Sequence, residues 1–308
     1  MRVAGIAAFS GDVTTMEVGD PRPLAVDEVL IEVRAAGVGN WDEIVRTGGW
    51  DIGVKPPMAL GVEVAGIVSA VGTDVSGFGV GDEVLCHPVP LRDQGGWAPW
   101  LTAPVGSIAS KPPEMSWDIA GVFPVPALTA EQMVSEALAL ESGETLLVHG
   151  AGGTTGAMIV ALAATRGVDV VATCSPRSAS RVRSYGARAV VDYHEAEWPR
   201  MVRDLFDGKG AQAVANAAVG GAAAAMGTLV DGGRLATITS DPPPGERGIT
   251  VTNLYVRSDG RQLARLAALF GRHELAMPSP RRCGLDGAAA ALAQVAAGEA
   301  TGGIVIAP

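Results

Sequence analysis

The chain has 308 residues, 48% apolar and 18% charged, which excludes a chiefly disordered protein and leaves room for about two domains of roughly 100–200 residues. A net charge of −10, from 33 acids against 23 bases, argues against nucleic acid as a partner, because a phosphate backbone demands a basic face. Cys86, Cys174 and Cys283 lie far apart with no CxxC pair, the pattern of a reducing compartment rather than of a disulfide framework. The start, MRVAGIAAFSGDV, carries no apolar run with a cleavage site. The most apolar-looking stretch, 211–230, has mostly alanine among its apolar residues and is broken by Gln212, Asn216 and glycines. Neither a signal peptide nor a membrane span is expected, and the expected location is the cytoplasm.

Up to about residue 120 the chain reads as β-rich. VLIEVRA (29–35) and VEVAGIVSAVG (62–72) are strand runs, and VSGFGVGDEVLC (75–86) sets Gly81-Asp82 as a turn between apolar strands. Prolines 56, 57, 88, 90 and 99 mark loops. This spacing predicts a small barrel or sandwich. Near residue 123 the pattern changes. TLLVH (145–149) reads as a buried strand, GAGGTTG (150–156) as a glycine-rich turn, and 157–167 as a helix. A strand at 168–174, a helix at 177–186 and a strand at 187–193 follow. AQAVANAA (211–218) and GGRLATITS (232–240) flank a helix around 221–230. Strands alternating with helices predict βαβ units and a parallel sheet. DPPPGERG (241–248) is a loop before a strand at 249–256. The tail predicts helices at 259–270 and 285–297 and a strand at 302–307.

The strongest chemical signal is Gly150, Gly153 and Gly156, with Thr154 and Thr155 between, where a strand passes into a helix. Such a turn aims free N–H groups at an anion, and the helix start adds about half a positive charge. About 20 residues on, where an NAD site places an acid on the ribose 2′-hydroxyl, the chain reads Thr173-Cys174-Ser175-Pro176-Arg177. A carboxylate would repel a 2′-phosphate, whereas an arginine pairs with it through hydrogen bonds of roughly 1.5–3 kcal/mol. The sequence therefore favours NADPH over NADH.

These motifs, with AAGVGNWDEIVRTGGW (35–50), ALGVEVAGIVSAVG (59–72), PALTA (126–130), GARAVVDY (186–193) and GGRLATI (232–238), make the chain resemble the zinc-independent, quinone oxidoreductase-like branch of the medium-chain dehydrogenase/reductases. The resemblance covers nearly the whole chain. It implies an α/β fold: a GroES-like β-rich catalytic domain (1–122 and 259–308) and a doubly wound Rossmann domain that binds NADPH (123–258). It implies a homodimer that passes hydride to an apolar or aromatic acceptor, either a quinone or an activated C=C. A dedicated biosynthetic enoyl reductase and a non-catalytic NADPH sensor are the alternatives. Residue by residue, Ser175, Arg177 and Tyr193 match positions that hold the 2′-phosphate, and Thr129 one near the nicotinamide. Thr129 also reads as a helix N-cap. Val219, Gly220, Ile238 and Thr239 match loops lining the nicotinamide pocket.

Metal ligation is not expected. Zinc-dependent relatives carry Gly-His-Glu where this chain has Gly61-Val62-Glu63, and their cysteine ligand falls in Gly39-Asn40-Trp41-Asp42. His87, His149, His194 and His273 are dispersed, with no HxxxH or HxE spacing. Asn40, Trp41 and Trp50 are expected in the substrate pocket, with Asn40 and the Trp41 indole as donors to a developing enolate. Relatives often place a tyrosine where Trp50 stands. An indole N–H donates a hydrogen bond but is a poor acid, so no residue is assigned as the proton donor. Asp42 reads as a helix N-cap.

Overall fold

The computed structural model describes residues 1–272, 275, 277–300 and 302–308; His273 lies outside them. The chain divides into two units. One comprises Met1–Leu128, Arg257–Arg272 and Ser279–Pro308. The other is Thr129–Val256 with Leu275, Met277 and Pro278.

In chain order the first unit opens with β1 (Arg2–Ile6), β2 (Thr14–Glu17), β3 (Glu28–Val38), α1 (Asn40–Arg46), β4 (Met58–Ala59), β5 (Val64–Val71), β6 (Glu83–Cys86), β7 (Trp100–Pro104), β8 (Ile108–Ser110) and α2 (Trp117–Gly121). α3 (Pro124–Gln132) begins in it. β3 carries the architecture. It pairs antiparallel with β5 and β7, and β5 pairs antiparallel with β6. The first half of β3 alternates between buried and part-exposed residues, as a half-covered strand must, and Ala35–Val38 is buried throughout. β1 lies between β2 and β4 in a separate three-stranded sheet. The turn expected at Gly81-Asp82 is present, and within 75–86 the strand that follows it, Glu83–Cys86, is the one that forms. Gly77 and Gly81 take φ of +83° and +97°, so the residues before Glu83 form turns rather than ladder. β1, β2, β4, β7, β8, α1, α2 and α3 go beyond the predicted elements.

The second unit runs β9 (Thr145–His149), α4 (Thr154–Thr165), β10 (Asp169–Thr173), α5 (Pro176–Ser184), β11 (Ala189–Val191), α6 (Trp198–Leu205), β12 (Ala211–Asn216), α7 (Ala222–Met226), β13 (Leu229–Thr237) and β14 (Thr250–Asn253). All strand pairs are parallel, in the order β11-β10-β9-β12-β13-β14. The order reverses between β9 and β12, so the carboxyl ends of these strands frame the crevice where doubly wound sheets take ligands. The helix expected around 221–230 spans only Ala222–Met226. Gly227 closes it, and the buried Leu229 already belongs to β13.

The chain then returns to the first unit with α8 (Gly260–Gly271), β15 (Arg281–Gly284), α9 (Ala288–Ala296) and β16 (Ile304–Ala307). β16 pairs antiparallel with β3, which places the last strand in the same sheet as the third. The expected pairing of a β-rich domain with a doubly wound α/β domain is the fold observed. No described helix is long and apolar enough to cross a membrane.

Candidate functional site

In the second unit β9 ends at His149, and the chain turns sharply to start α4. Gly150 has φ +87°, which an L side chain rarely adopts. A Cβ on Gly156 would lie 2.4 Å from the Gly150 carbonyl oxygen, so the turn closes only over glycine. Gly153 is the N-cap and supplies no side-chain cap. The first amides of α4, at Thr154, Thr155 and Gly156, are left facing outward with the helix dipole behind them. This cradle is one that a Cβ would fill, and it fits a pyrophosphate.

Beside it, β10 runs into α5. Ser175 is the N-cap of α5, yet its hydroxyl makes no capping bond. Arg177 is exposed and forms no ion pair or hydrogen bond among the described residues. Cys174 N donates to Val191 O at 3.2 Å, which ties the ends of β10 and β11 together and brings Tyr193 to the same edge. Tyr193 is exposed, its ring 4.1 Å from that of His194, and Asp192 Oδ1 is 2.7 Å from His194 Nδ1. A phosphate at this edge meets a free hydroxyl, a free guanidinium and no acid within Thr173–Arg177. Cys174 is buried, and burial pushes its thiol up against the pull of Arg181 and Arg183, which makes it a packing residue.

At the ends of β12 and β13 a polar network missed by sequence reasoning gathers. Asn216 Nδ2 donates to Thr237 Oγ1 at 2.9 Å and Thr239 Oγ1 at 3.0 Å, and both threonine hydroxyls donate to Asp241 Oδ1. Asp241 Oδ2 is buried without a partner among the described residues. Thr239 is thus held by neighbours, whereas Val219 and Gly220 are exposed and Ile238 is half-buried. Behind the turn, His149 Nδ1 hydrogen-bonds Thr173 Oγ1 at 2.6 Å, and Gly150 N donates to the same hydroxyl at 3.3 Å. Its ring stacks on Trp198. Burial pulls the imidazole down to about 4, so it is neutral near pH 7. Thr129 lies well inside α3, which corrects the N-cap reading; its side chain is buried.

In the first unit, α1 places Asn40, Trp41 and Asp42 in one turn. Asn40 is half-buried, and its side chain makes no hydrogen bond among the described residues. The Trp41 indole lies where a side chain on residue 39 would go, since a Cβ on Gly39 would sit 2.1 Å from its ring. Its Nε1 is buried with no partner among the described residues. Trp50 is half-buried, with its ring 6.3 Å from that of His87. Asp42 is not the N-cap: it stands three residues later, and its Oδ2 accepts from Gly39 N at 2.9 Å. It is fully buried, and burial pushes its carboxyl up to about 7. Glu63 is also buried and accepts from Val125 N at 2.8 Å. Burial, and secondarily the charge of Asp42, holds it well above the ordinary carboxylate range. Neither acid has an ion-pair partner among the described residues. Sequence reading gave Glu63 no role and Asp42 the wrong one. The signal available was their placement beside Gly39 and Gly61 in strongly apolar surroundings.

Comparison with known proteins agrees with this fold. Residues 25–113 match the alcohol dehydrogenase GroES-like domain family, and residues 185–306 the zinc-binding dehydrogenase family. The chain has the medium-chain dehydrogenase/reductase fold. The name of the second family implies a metal, but the donor set does not fit one. Among the described residues no three His, Cys, Asp or Glu side chains group to hold an ion, and an indole fills the space beside Gly39. The chain is 32% identical over 183 residues to a quinone oxidoreductase of Pseudomonas aeruginosa, covering 59% of this chain and 55% of that one. It is 32% identical over 202 residues to an erythronolide synthase of Saccharopolyspora erythraea, covering 65% of this chain but 5% of that one. The chain thus spans at most about half the length of these two relatives. Two solved structures cover it end to end at 26% identity and TM-score 0.89: an NAD-dependent alcohol dehydrogenase and a mycobacterial protein complexed with NADPH, each covered over 100% of its own length.

Proposed function

We propose that this oxidoreductase uses NADPH to transfer hydride to a quinone or to an activated C=C, such as an enone, alkenal or enoyl group, without a metal. The observation that carries the cofactor choice is the start of α5, where the Ser175 hydroxyl and the Arg177 guanidinium stand free and no acid is present from Thr173 to Arg177. Of the two equally similar solved structures one is a complex with NADPH and the other an NAD-dependent alcohol dehydrogenase, so the choice rests on these residues. Gly150, Gly153, Thr154, Thr155 and Gly156 would cradle the pyrophosphate. Ser175, Arg177 and Tyr193 would hold the 2′-phosphate, and Thr129, Val219, Gly220, Ile238 and Thr239 would border the nicotinamide.

Bound NADPH would supply the hydride. The chain's own part is to orient the acceptor and to stabilise the negative oxygen that forms as hydride arrives. The Asn40 amide and the Trp41 indole N–H, both without hydrogen-bond partners among the described residues, are the donors assigned to that oxygen. The family resemblance also supports a homodimer, which light scattering tests.

The match to a segment of an erythronolide synthase favours a second reading, a reductase dedicated to one biosynthetic acyl intermediate. The deciding experiment is NADPH and NADH consumption with a 1,4-quinone, an enone, an alkenal and an enoyl thioester. Fast NADPH-linked turnover of the quinone or enone supports the first reading, and turnover of the thioester alone the second. Tight NADPH binding with no turnover of any acceptor refutes both and leaves a sensor.

A further inference from the structure

The phosphate turn is held from behind by a residue that no motif singles out. Arg181 lies four residues after Arg177 on α5, so both share one face of the helix. Arg177 reaches solvent, whereas Arg181 turns inward. Its Nη2 donates to the Gly152 carbonyl oxygen at 2.9 Å and to Ser178 Oγ at 3.3 Å. Its Nη1 is buried without a partner among the described residues.

Two features of this guanidinium matter. It has no carboxylate within ion-pair distance among the described residues, in a chain with ten more acids than bases. Arg22, Arg46, Arg166, Arg188 and Arg234 pair with acids, whereas Arg203, like Arg181, is part-buried and held by neutral oxygens. A part-buried cation without a counter-ion is unfavourable alone, and it becomes favourable when an anion binds nearby. Its one backbone partner is also a peptide of the turn itself. A Cβ on Gly152 would lie 3.3 Å from Ser178 Oγ and 3.4 Å from Cys174 Cβ, so the turn rests directly on the start of α5. In a trans peptide the C=O and N–H point opposite ways. Arg181 takes the Gly152 oxygen, while the Gly153 N–H of the same peptide donates back to Gly150 O at 3.3 Å. Both ends of that peptide are tied, and the amides of Thr154 to Gly156 follow from it.

We propose that Arg181 is a positioning residue for the phosphate turn. It fixes the Gly152–Gly153 peptide and sets an uncompensated positive charge behind the site of the pyrophosphate, the part that NADH and NADPH share. The proposal rests on the dinucleotide reading above, but not on the preference for NADPH.

The test is titration of NADPH and NADH into wild type, Arg181→Met, Arg181→Lys and Arg177→Ala, with the melting temperature of each protein without cofactor. Arg181→Met is expected to weaken both dinucleotides by the same factor, about tenfold, the size of one charge-assisted hydrogen bond. In turnover it should raise KM for the dinucleotide and leave kcat at saturation unchanged. Arg181→Lys, which keeps the charge, should recover most of the affinity. A lower melting temperature with both Kd values unchanged would make Arg181 a structural residue and overturn the proposal. A loss confined to NADPH would make it a 2′-phosphate ligand and also overturn it. If Arg177→Ala fails to discriminate while Arg181→Met weakens both, only the NADPH preference falls. Wild-type protein that binds neither dinucleotide overturns both ideas together.

Discussion

Replacing Asp42 by asparagine should stabilise the protein at pH 8 and leave it unchanged near pH 4. The carboxyl is fully buried, and burial raises it from 3.8 to about 7. Between these values the folded chain keeps a proton that the unfolded chain has released, so stability falls as pH rises through that window. Above pH 7 both states are ionised, and the accumulated loss is about 3 units at 1.36 kcal/mol each, or about 4 kcal/mol. Asparagine keeps an oxygen for the Gly39 amide, and the approach of the Gly61 amide, which also pulls the carboxyl down, is the one contact it weakens. It removes the charge and also relieves Glu63, which the ionised Asp42 pushes further up. Urea unfolding of both proteins from pH 4 to 8.5, followed by tryptophan fluorescence, gives the two curves. They should coincide at the acid end and separate by up to about 4 kcal/mol at the alkaline end. A variant less stable than wild type at pH 8 would refute the reasoning, for it would mean that the buried carboxylate is stabilised by a partner.

Arg177→Ala should weaken NADPH by roughly 10- to 100-fold and leave NADH nearly unchanged; equal losses in parallel titrations would sink the 2′-phosphate assignment. His149 runs opposite to Asp42. Its imidazole falls from 6.5 to about 4 on burial, so stability is retained above pH 6.5 and drops by about 3 kcal/mol as pH falls to 4. His149→Gln should flatten that acid limb in the same unfolding series, and an unaltered limb would exclude the histidine as its cause. Gly39→Ala puts a methyl group 2.1 Å from the Trp41 ring and should cost about 1–3 kcal/mol. In the Gly39→Ala, Trp41→Ala double variant the two losses should fall short of their sum by about 1 kcal/mol or more; strict additivity would show that the indole does not fill that space.

The α/β order was legible because strand runs and glycine punctuation alternate clearly from Thr145 onward, and the parallel register follows from the short βα turns. Gly150, Gly153 and Gly156 were readable because their chemistry is local: three glycines, a strand before and a helix after. Asp241 and Arg181 were not readable in the same way. Asp241 gains its partners from Asn216 and Thr237, brought to one edge by parallel pairing, and a lone aspartate in a proline-rich loop carries no periodic signal. Arg181 looks like any solvated helix charge until Gly152 is seen beneath it. β2 escaped because Thr14–Glu17 is a largely exposed edge strand without the apolar alternation that marks a covered one. The short α7 was overextended because an alanine run favours helix while Leu229 is claimed by the sheet, a tertiary contact that outweighs propensity.

The fit between Gly39 and Trp41 bears on how this sequence can change. The indole and the missing side chain occupy one volume, so neither position can be altered freely without the other. A chain that first enlarges residue 39 meets the ring, and a chain that first trims the tryptophan opens a void under α1. Both intermediates lie downhill in stability, and a donor atom at 39 therefore needs two coordinated substitutions rather than one. The constraint is reciprocal: whatever residue 39 gains in volume, residue 41 must give up.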